Sequence, residues 1–125
     1  MSIIQIDIDT VSLRLKCLET LTARAIQESL PFESEARTWG QEVYFSAPVS
    51  SALEANARDV VEAGEIAFWV EGQCIAIGFG KTPISGDGEI RLAARTNIWA
   101  EAIDDVSVLK TVKDGAKVTV SRIES

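Results

Sequence analysis

Apolar and polar side chains alternate along much of this chain, and that period-two pattern limits its fold more than any other feature. In the first segment Ile4, Ile6 and Ile8 fall on one face with polar residues between them, which is typical of a half-buried strand. Such segments, separated by turn residues, predict a mainly β chain closed into a barrel of about eight strands, because closure leaves no edge strand unpaired. The predicted strands cover residues 4–8, 13–17, 33–38, 41–46, 65–70, 73–79, 97–103 and 117–123.

Helical spacing replaces the alternation after residue 18. Leu21, Ala25 and Ile26 suit one face of a helix over residues 20–30, which we expect to cover one mouth of the barrel. Pro31 ends this helix because the residue before a proline avoids helical angles. A second, short helix is predicted within residues 104–112, where Asp104 or Asp105 can cap it.

The remaining segments are predicted to be connections. Residues 47–63 form a long connection with room for a helical turn near residues 59–63, and residues 80–92 form a loop. We find no internal repeat, low-complexity stretch or linker, so one domain is predicted over residues 1–125.

Charge and cysteine content narrow the class of protein. A net charge of −7 with scattered basic residues argues against nucleic-acid binding. The two cysteines, Cys17 and Cys74, stand in apolar alternating stretches and are expected to be buried thiols rather than a disulfide. No signal peptide and no membrane-spanning apolar run are visible, which makes the cytoplasm the expected compartment.

Two motifs carry a resemblance to a known family. They are Trp39-Gly40-x-Glu42-x-Tyr44-Phe45 and Phe79-Gly80-x-Thr82-Pro83. Together with residues 38–49, 64–69, 74–85, 97–98 and 112–118, they make the chain similar, over nearly its whole length, to the small prokaryotic cyclophilin-like proteins. The resemblance implies a closed, eight-stranded cyclophilin-like barrel with one main helix and one or two short helices. It implies no reaction, because that family has no settled activity.

The resemblance to true cyclophilins raises the question of prolyl isomerase activity. Their activity needs an arginine that donates to the proline amide nitrogen, and Arg37 is the natural candidate here. The residues five, six and eight positions past that arginine are Phe, Met and Gln in cyclophilins but Glu42, Val43 and Phe45 here, and the chain has no histidine. The missing catalytic pattern argues against isomerase activity, while the question of enzyme activity stays open.

The residue composition also limits which catalytic and metal-binding sites the chain can form. Without histidine, neither a Ser-His-Asp nor a Cys-His arrangement can form, and two cysteines are too few for a usual zinc site. The Lys81-Thr82 pair lacks the glycine spacing of a phosphate-binding loop. We therefore predict no cofactor and no metal.

A candidate site can nevertheless be drawn from the stretches that carry the resemblance. Polar or amphipathic residues there can line a cleft with apolar walls, between the barrel and the loop of residues 81–89. The candidates are Glu42, Tyr44, Trp69, Lys81, Thr82 and Asn97. The alternative is that Tyr44 and Trp69 pack outside the barrel under loops while Glu42 and Lys81 form an exposed ion pair. Trp99 stands where glycine is common in the family, so we expect a bulky side chain near this cleft.

The predicted function is a non-catalytic module that binds an unknown small molecule or an extended peptide. Two other classes stay open. One is an enzyme, either a divergent peptidyl-prolyl cis-trans isomerase or a carboxylate-dependent activity centred on Glu42. The other is a scaffold or an accessory subunit of a larger metabolic enzyme, which would have a protein partner.

Overall fold

The structure, a computed structural model, describes residues 2–124 and consists mainly of β-strands, as the alternation predicts. Ten strands are formed within this range, two more than expected, because residues 37–38 and 58–61 form short strands of their own. In chain order they are β1 Ile3–Ile8, β2 Val11–Cys17, β3 Phe32–Glu35, β4 Arg37–Thr38, β5 Glu42–Ser46, β6 Arg58–Val61, β7 Glu65–Trp69, β8 Cys74–Gly78, β9 Ile90–Ala102 and β10 Lys117–Glu124.

The sheet closes through one bent segment. Its strands follow the order β3-β10-β1-β2-β9-β7-β8-β5-β4, and β6 pairs with β9 beside this path. The first and last strands, β3 and β4, are consecutive in the chain and are separated by Ala36 alone. At this bend the Ala36 N–H donates to the Ala116 carbonyl at 2.8 Å, and the Gly115 N–H donates to the Ala36 carbonyl at 2.8 Å. The sheet is therefore a nearly closed barrel, in agreement with the predicted architecture.

Both predicted helices are present. Helix α1 spans Leu21–Glu28, and the Thr20 side chain caps it by accepting from the Ala23 N–H at 3.0 Å. Its buried residues Ala23 and Ile26 join the barrel core. A short 3₁₀ helix spans Val106–Thr111, capped by Asp105, whose carboxylate accepts from the Ser107 N–H at 2.9 Å. No helix in residues 2–124 is long and apolar enough to cross a membrane.

Two apolar clusters lie on opposite sides of the barrel wall. The larger one fills the interior, and its largest side chain is Trp99, which is fully buried. The smaller one lies on the outer face and is formed by Val61, Ala67, Ala76 and Leu92. This outer cluster exists because β6 and the first half of β9 cover β7 and β8 from outside, so β8 is buried along both faces.

Three expectations were wrong in this region. Residues 58–61 form strand β6 rather than a connection with a helical turn, since they pair with β9 at Val60–Arg91 and Val61–Ile90. That same pairing starts β9 at Ile90, inside the predicted loop. Trp99 does not lie near a cleft but inside the barrel, where its indole N–H donates to the Ala67 carbonyl at 3.3 Å.

Candidate functional site

A pocket of about 70 Å³ lies on the outer wall of the barrel, between β5, β7 and β8 on one side and β9 on the other. Strand alternation explains why: Val43 and Phe45 of β5 point into the interior core, so Glu42 and Tyr44 point outward. Apart from Glu42 and Thr96, the lining is formed by Tyr44, Trp69, Ala76, Leu92, Ala93 and Ala94. The pocket is therefore apolar around a single carboxyl group.

The Glu42 carboxyl group is buried, and none of the ion pairs found in residues 2–124 offsets the cost of removing it from water. The residue is 7% exposed, and its Oε1 atom has no hydrogen-bond partner within residues 2–124. Burial raises the pKa of Glu42 to about 7 from an ordinary 4.5, because an apolar setting disfavours the charged form. Glu42 thus titrates near neutral pH, which is uncommon for a structural carboxyl group and frequent at functional sites.

The residue opposite Glu42 on the neighbouring strand explains why the carboxyl group has no partner there. Gly78 is its register partner on β8 and carries no side chain that could pair with a carboxylate. A Cβ atom at Gly78 would lie 2.5 Å from Cγ2 of Ile90. The missing side chain therefore allows Ile90 to pack directly on β8 and helps to keep the Glu42 neighbourhood dry.

Two aromatic side chains complete the pocket. Tyr44 lies opposite Ala76 in the β5–β8 register, and the small alanine leaves space in front of the phenol ring. The Trp69 indole packs against the backbone of the β7–β8 turn, since a Cβ atom at Gly72 would fall 2.1 Å from its Cε3 atom. Both rings are half-buried and belong to the same lining.

The two motifs that carried the resemblance meet beside this pocket. The Gln41 N–H donates to the Lys81 carbonyl at 2.9 Å, the Phe79 N–H donates to the Gln41 carbonyl at 2.9 Å, and the Lys81 N–H donates to Oε1 of Gln41 at 2.9 Å. Gly40, with φ +60°, permits the close approach, because a Cβ atom there would lie 2.9 Å from the Lys81 carbonyl oxygen. The motifs therefore lock together the two loops that precede β5 and follow β8.

Replacing Gly40 by alanine is expected to destabilise the fold by about 2–4 kcal/mol, from positive-φ strain plus a backbone clash. Gly88→Ala is the matched control, because Gly88 has φ +73° with nothing within 4 Å of its Cβ position; it should cost about 1 kcal/mol. Urea unfolding measures both. Equal losses would show that the two loops are not locked through Gly40.

Lys81 and Thr82 lie outside the pocket. Lys81 is exposed, and its Nζ atom is 3.9 Å from Asp87. Thr82 is buried, and its backbone N–H donates to the Ser85 hydroxyl at 3.0 Å while its own hydroxyl donates to the Arg91 carbonyl. Both residues therefore stand in the loop that leads into β9, outside the lining of this pocket.

Asn97 also lies apart from the pocket. It is fully buried beside α1, where its Nδ2 atom donates to the Thr22 hydroxyl at 3.0 Å and to the Ala52 carbonyl at 2.8 Å. Its Oδ1 atom accepts from the Glu54 N–H at 2.8 Å. With these bonds, Asn97 anchors α1 and the segment around residue 52 to β9.

The structure therefore brings together three of the six candidates, Glu42, Tyr44 and Trp69. The alternative of an exposed Glu42–Lys81 ion pair is wrong, because Glu42 is buried and Lys81 lies near Asp87. The sequence interpretation missed the β9 side of the pocket, from Leu92 to Thr96. A signal for it exists: Ala67 and Ala76 stand at outward strand positions where a solvent-facing strand would carry polar residues.

Other surface features offer less chemistry. A wider depression of about 550 Å³ includes Cys17, but burial raises the pKa of that thiol to about 11, so it is not a thiolate at neutral pH. No group of three or more His, Cys, Asp or Glu residues that could hold a metal ion occurs in the part of the chain that the structure covers.

The fold and the pocket together define a nearly closed β-barrel protein with a small apolar pocket on its outer wall. The sequence pattern of the cyclophilin-like family matches residues 2–121, and the chain belongs to that family. A comparison with curated proteins gives no match.

Solved structures that are similar to this chain include two with very different sequence identities. One is the solution structure of the hypothetical protein AF2241 from Archaeoglobus fulgidus, with 37% identity, a TM-score of 0.83 and coverage of 98% of this chain and 95% of that one. The other is McbB in complex with tryptophan, with 13% identity and a TM-score of 0.68; it covers 94% of this chain, which spans 44% of McbB. The second likeness concerns the fold alone.

Proposed function

We propose that this protein is a binding module that takes one end of a small molecule into the pocket beside Glu42. One observation carries the proposal: a carboxylate oxygen is buried in an apolar pocket with no partner in residues 2–124. A buried polar atom without a hydrogen bond costs about 1–3 kcal/mol, so such atoms call for an explanation. A ligand that donates a hydrogen bond to Oε1 supplies one.

The size of the pocket limits what can enter. A cavity of about 150 Å³ holds benzene, and about 10–15 Å³ is enough for one water molecule. The volume of about 70 Å³ therefore admits a group of roughly three to five heavy atoms, and the rest of the ligand stays at the mouth. The tryptophan complex of McbB supports the proposal only in that the same fold there accompanies a small ligand.

A fragment screen by two-dimensional NMR tests the proposal. We expect small fragments with one donor group to shift the Trp69 indole N–H together with the amides of Ala76 and Thr96. Ala94→Leu fills the lining and is expected to weaken binding at least about tenfold, through lost space rather than lost stability. Ala63→Leu is the control, because Ala63 is exposed in the turn before β7. Fragments that bind both variants equally, or that shift no pocket residue, would contradict the proposal.

A further inference from the structure

We propose that the group entering the Glu42 pocket is a compact ammonium ion on a short apolar chain, an inference that rests on the binding function proposed above. Its starting point is a missing counter-charge. None of the ion pairs found in residues 2–124 includes Glu42. The pocket therefore holds one acid and, in its lining, no base.

The cations on the surrounding elements do not fill this role. Arg91 of β9 is bound to two other carboxylates, with Nη1 2.7 Å from Asp59 and Nε 2.8 Å from Glu89. Arg58 of β6 pairs with Glu65, and Lys81 lies near Asp87. Arg95 of β9 is exposed, and its Nε atom donates to the Ala57 carbonyl at 3.5 Å. Arg37 of β4 is exposed and stands opposite Tyr44 in the register. A positive charge for Glu42 has to come from outside the lining.

The chemistry of the pocket discriminates among ligand classes. An anion is repelled by the ionised carboxylate and finds no positive partner in the lining. A neutral donor satisfies Oε1 but leaves the negative charge buried. An ammonium group donates a hydrogen bond to Oε1 and also neutralises the negative charge. A hydrogen bond between two charged groups is about twice as strong as a neutral one. The rings of Tyr44 and Trp69 favour a cation further.

The pH dependence of binding follows from this pairing. The ammonium ion binds the ionised form of Glu42, so affinity rises as the pH increases through about 7. It falls again when an alkylamine loses its proton near pH 10. The charged or titratable groups on the elements that pack around Glu42 are Arg37 on β4, Tyr44 on β5, Arg58 and Asp59 on β6, Glu65 on β7, Cys74 on β8, Arg91, Arg95 and Glu101 on β9, and Lys81 in the loop. None of them contributes to the shift of the Glu42 pKa, whose cause is burial.

Three probes built on the same isopropyl group test the inference: isobutylamine, isobutanol and isobutyrate, titrated at about pH 8 and about pH 5.5 and followed by the NMR signals of Trp69 and Thr96. At the higher pH the amine is expected to bind about tenfold more tightly than the alcohol, and the acid is expected not to bind. This preference should shrink to within about threefold at the lower pH and in Glu42→Gln. Glu35→Gln, which neutralises an exposed strand glutamate, should behave like the wild type.

The outcomes separate this inference from the binding function. Equal affinity for amine and alcohol, or a preference that survives Glu42→Gln, would overturn the ammonium assignment while the pocket remains a binding site. If none of the three probes shifts the pocket signals at millimolar concentration, both the assignment and the binding function are wrong.

Discussion

Replacing Glu42 by glutamine is expected to stabilise the protein above pH 7 by up to about 3 kcal/mol and to leave its stability near pH 4 almost unchanged. The reason is the raised pKa of the carboxyl group, about 7 in the folded chain against an ordinary 4.5. Below pH 4.5 the group is neutral in both states and costs nothing through ionisation. As the pH rises to about 7, the unfolded chain releases its proton first, so the folded state loses stability.

Urea unfolding of both proteins from pH 4 to pH 8 measures this effect, and the difference between the two curves isolates Glu42. Carboxyl groups with lowered pKa values, such as Glu65 and Asp104, have the opposite sign and act below about pH 4.5, but they are the same in both proteins. Glu35→Gln should parallel the wild type. A Glu42→Gln curve that runs parallel to the wild type throughout would show that the carboxyl group is solvated.

Replacing Trp99 by alanine is expected to cost about 3–5 kcal/mol, the usual range for removing a large aromatic side chain from a core. Trp99 is 0% exposed and is the largest of the fully buried side chains. Its truncation leaves a cavity and frees the Ala67 carbonyl of its 3.3 Å hydrogen bond. Trp99→Phe keeps most of the apolar volume and is expected to cost about 1–2 kcal/mol.

Far-UV circular dichroism during urea unfolding distinguishes these outcomes, with Trp99→Phe as the variant that keeps the comparison measurable if the alanine variant does not fold. Trp99 lies in the interior core and not in the pocket on the outer wall, so its replacement tests whether the two are independent. Binding of a fragment in the Glu42 pocket should survive Trp99→Phe unchanged. A small stability loss in Trp99→Ala, below about 1 kcal/mol, together with altered fragment binding, would place the indole at a cleft instead.

The alternation was sufficient to predict most of the barrel because it reports on which face of each strand is buried. It predicted the strands β1, β2, β5, β7 and β8 and, through a different spacing, α1. It failed at β6, because Arg58–Val61 is four residues long and takes its strand conformation from pairing with β9. Such pairing depends on residues about thirty positions away, which a local pattern does not contain.

The candidate site was predictable only in part, for a related reason. Glu42, Tyr44 and Trp69 could be assigned to outward strand positions, but whether an outward position meets water depends on what covers it. Here Ile90 and Leu92 of β9 cover the outward face of the sheet beside Glu42. Glu42 is therefore a buried acid and not a surface residue. Asn97 illustrates the other limit of the pattern: it is a polar residue within a motif, and its hydrogen bonds join β9 to α1 and to the Ala52 carbonyl.

The most direct test of this account is an NMR titration of the Glu42 side-chain carboxyl carbon, with Glu42 assigned by comparison with Glu42→Gln. We predict a midpoint near pH 7, because burial beside Tyr44, Trp69 and Leu92 raises the pKa of this group to about 7. A midpoint near 4.5, the ordinary value for a glutamate, would show that water or a cation already satisfies the carboxylate, and it would contradict the central claim.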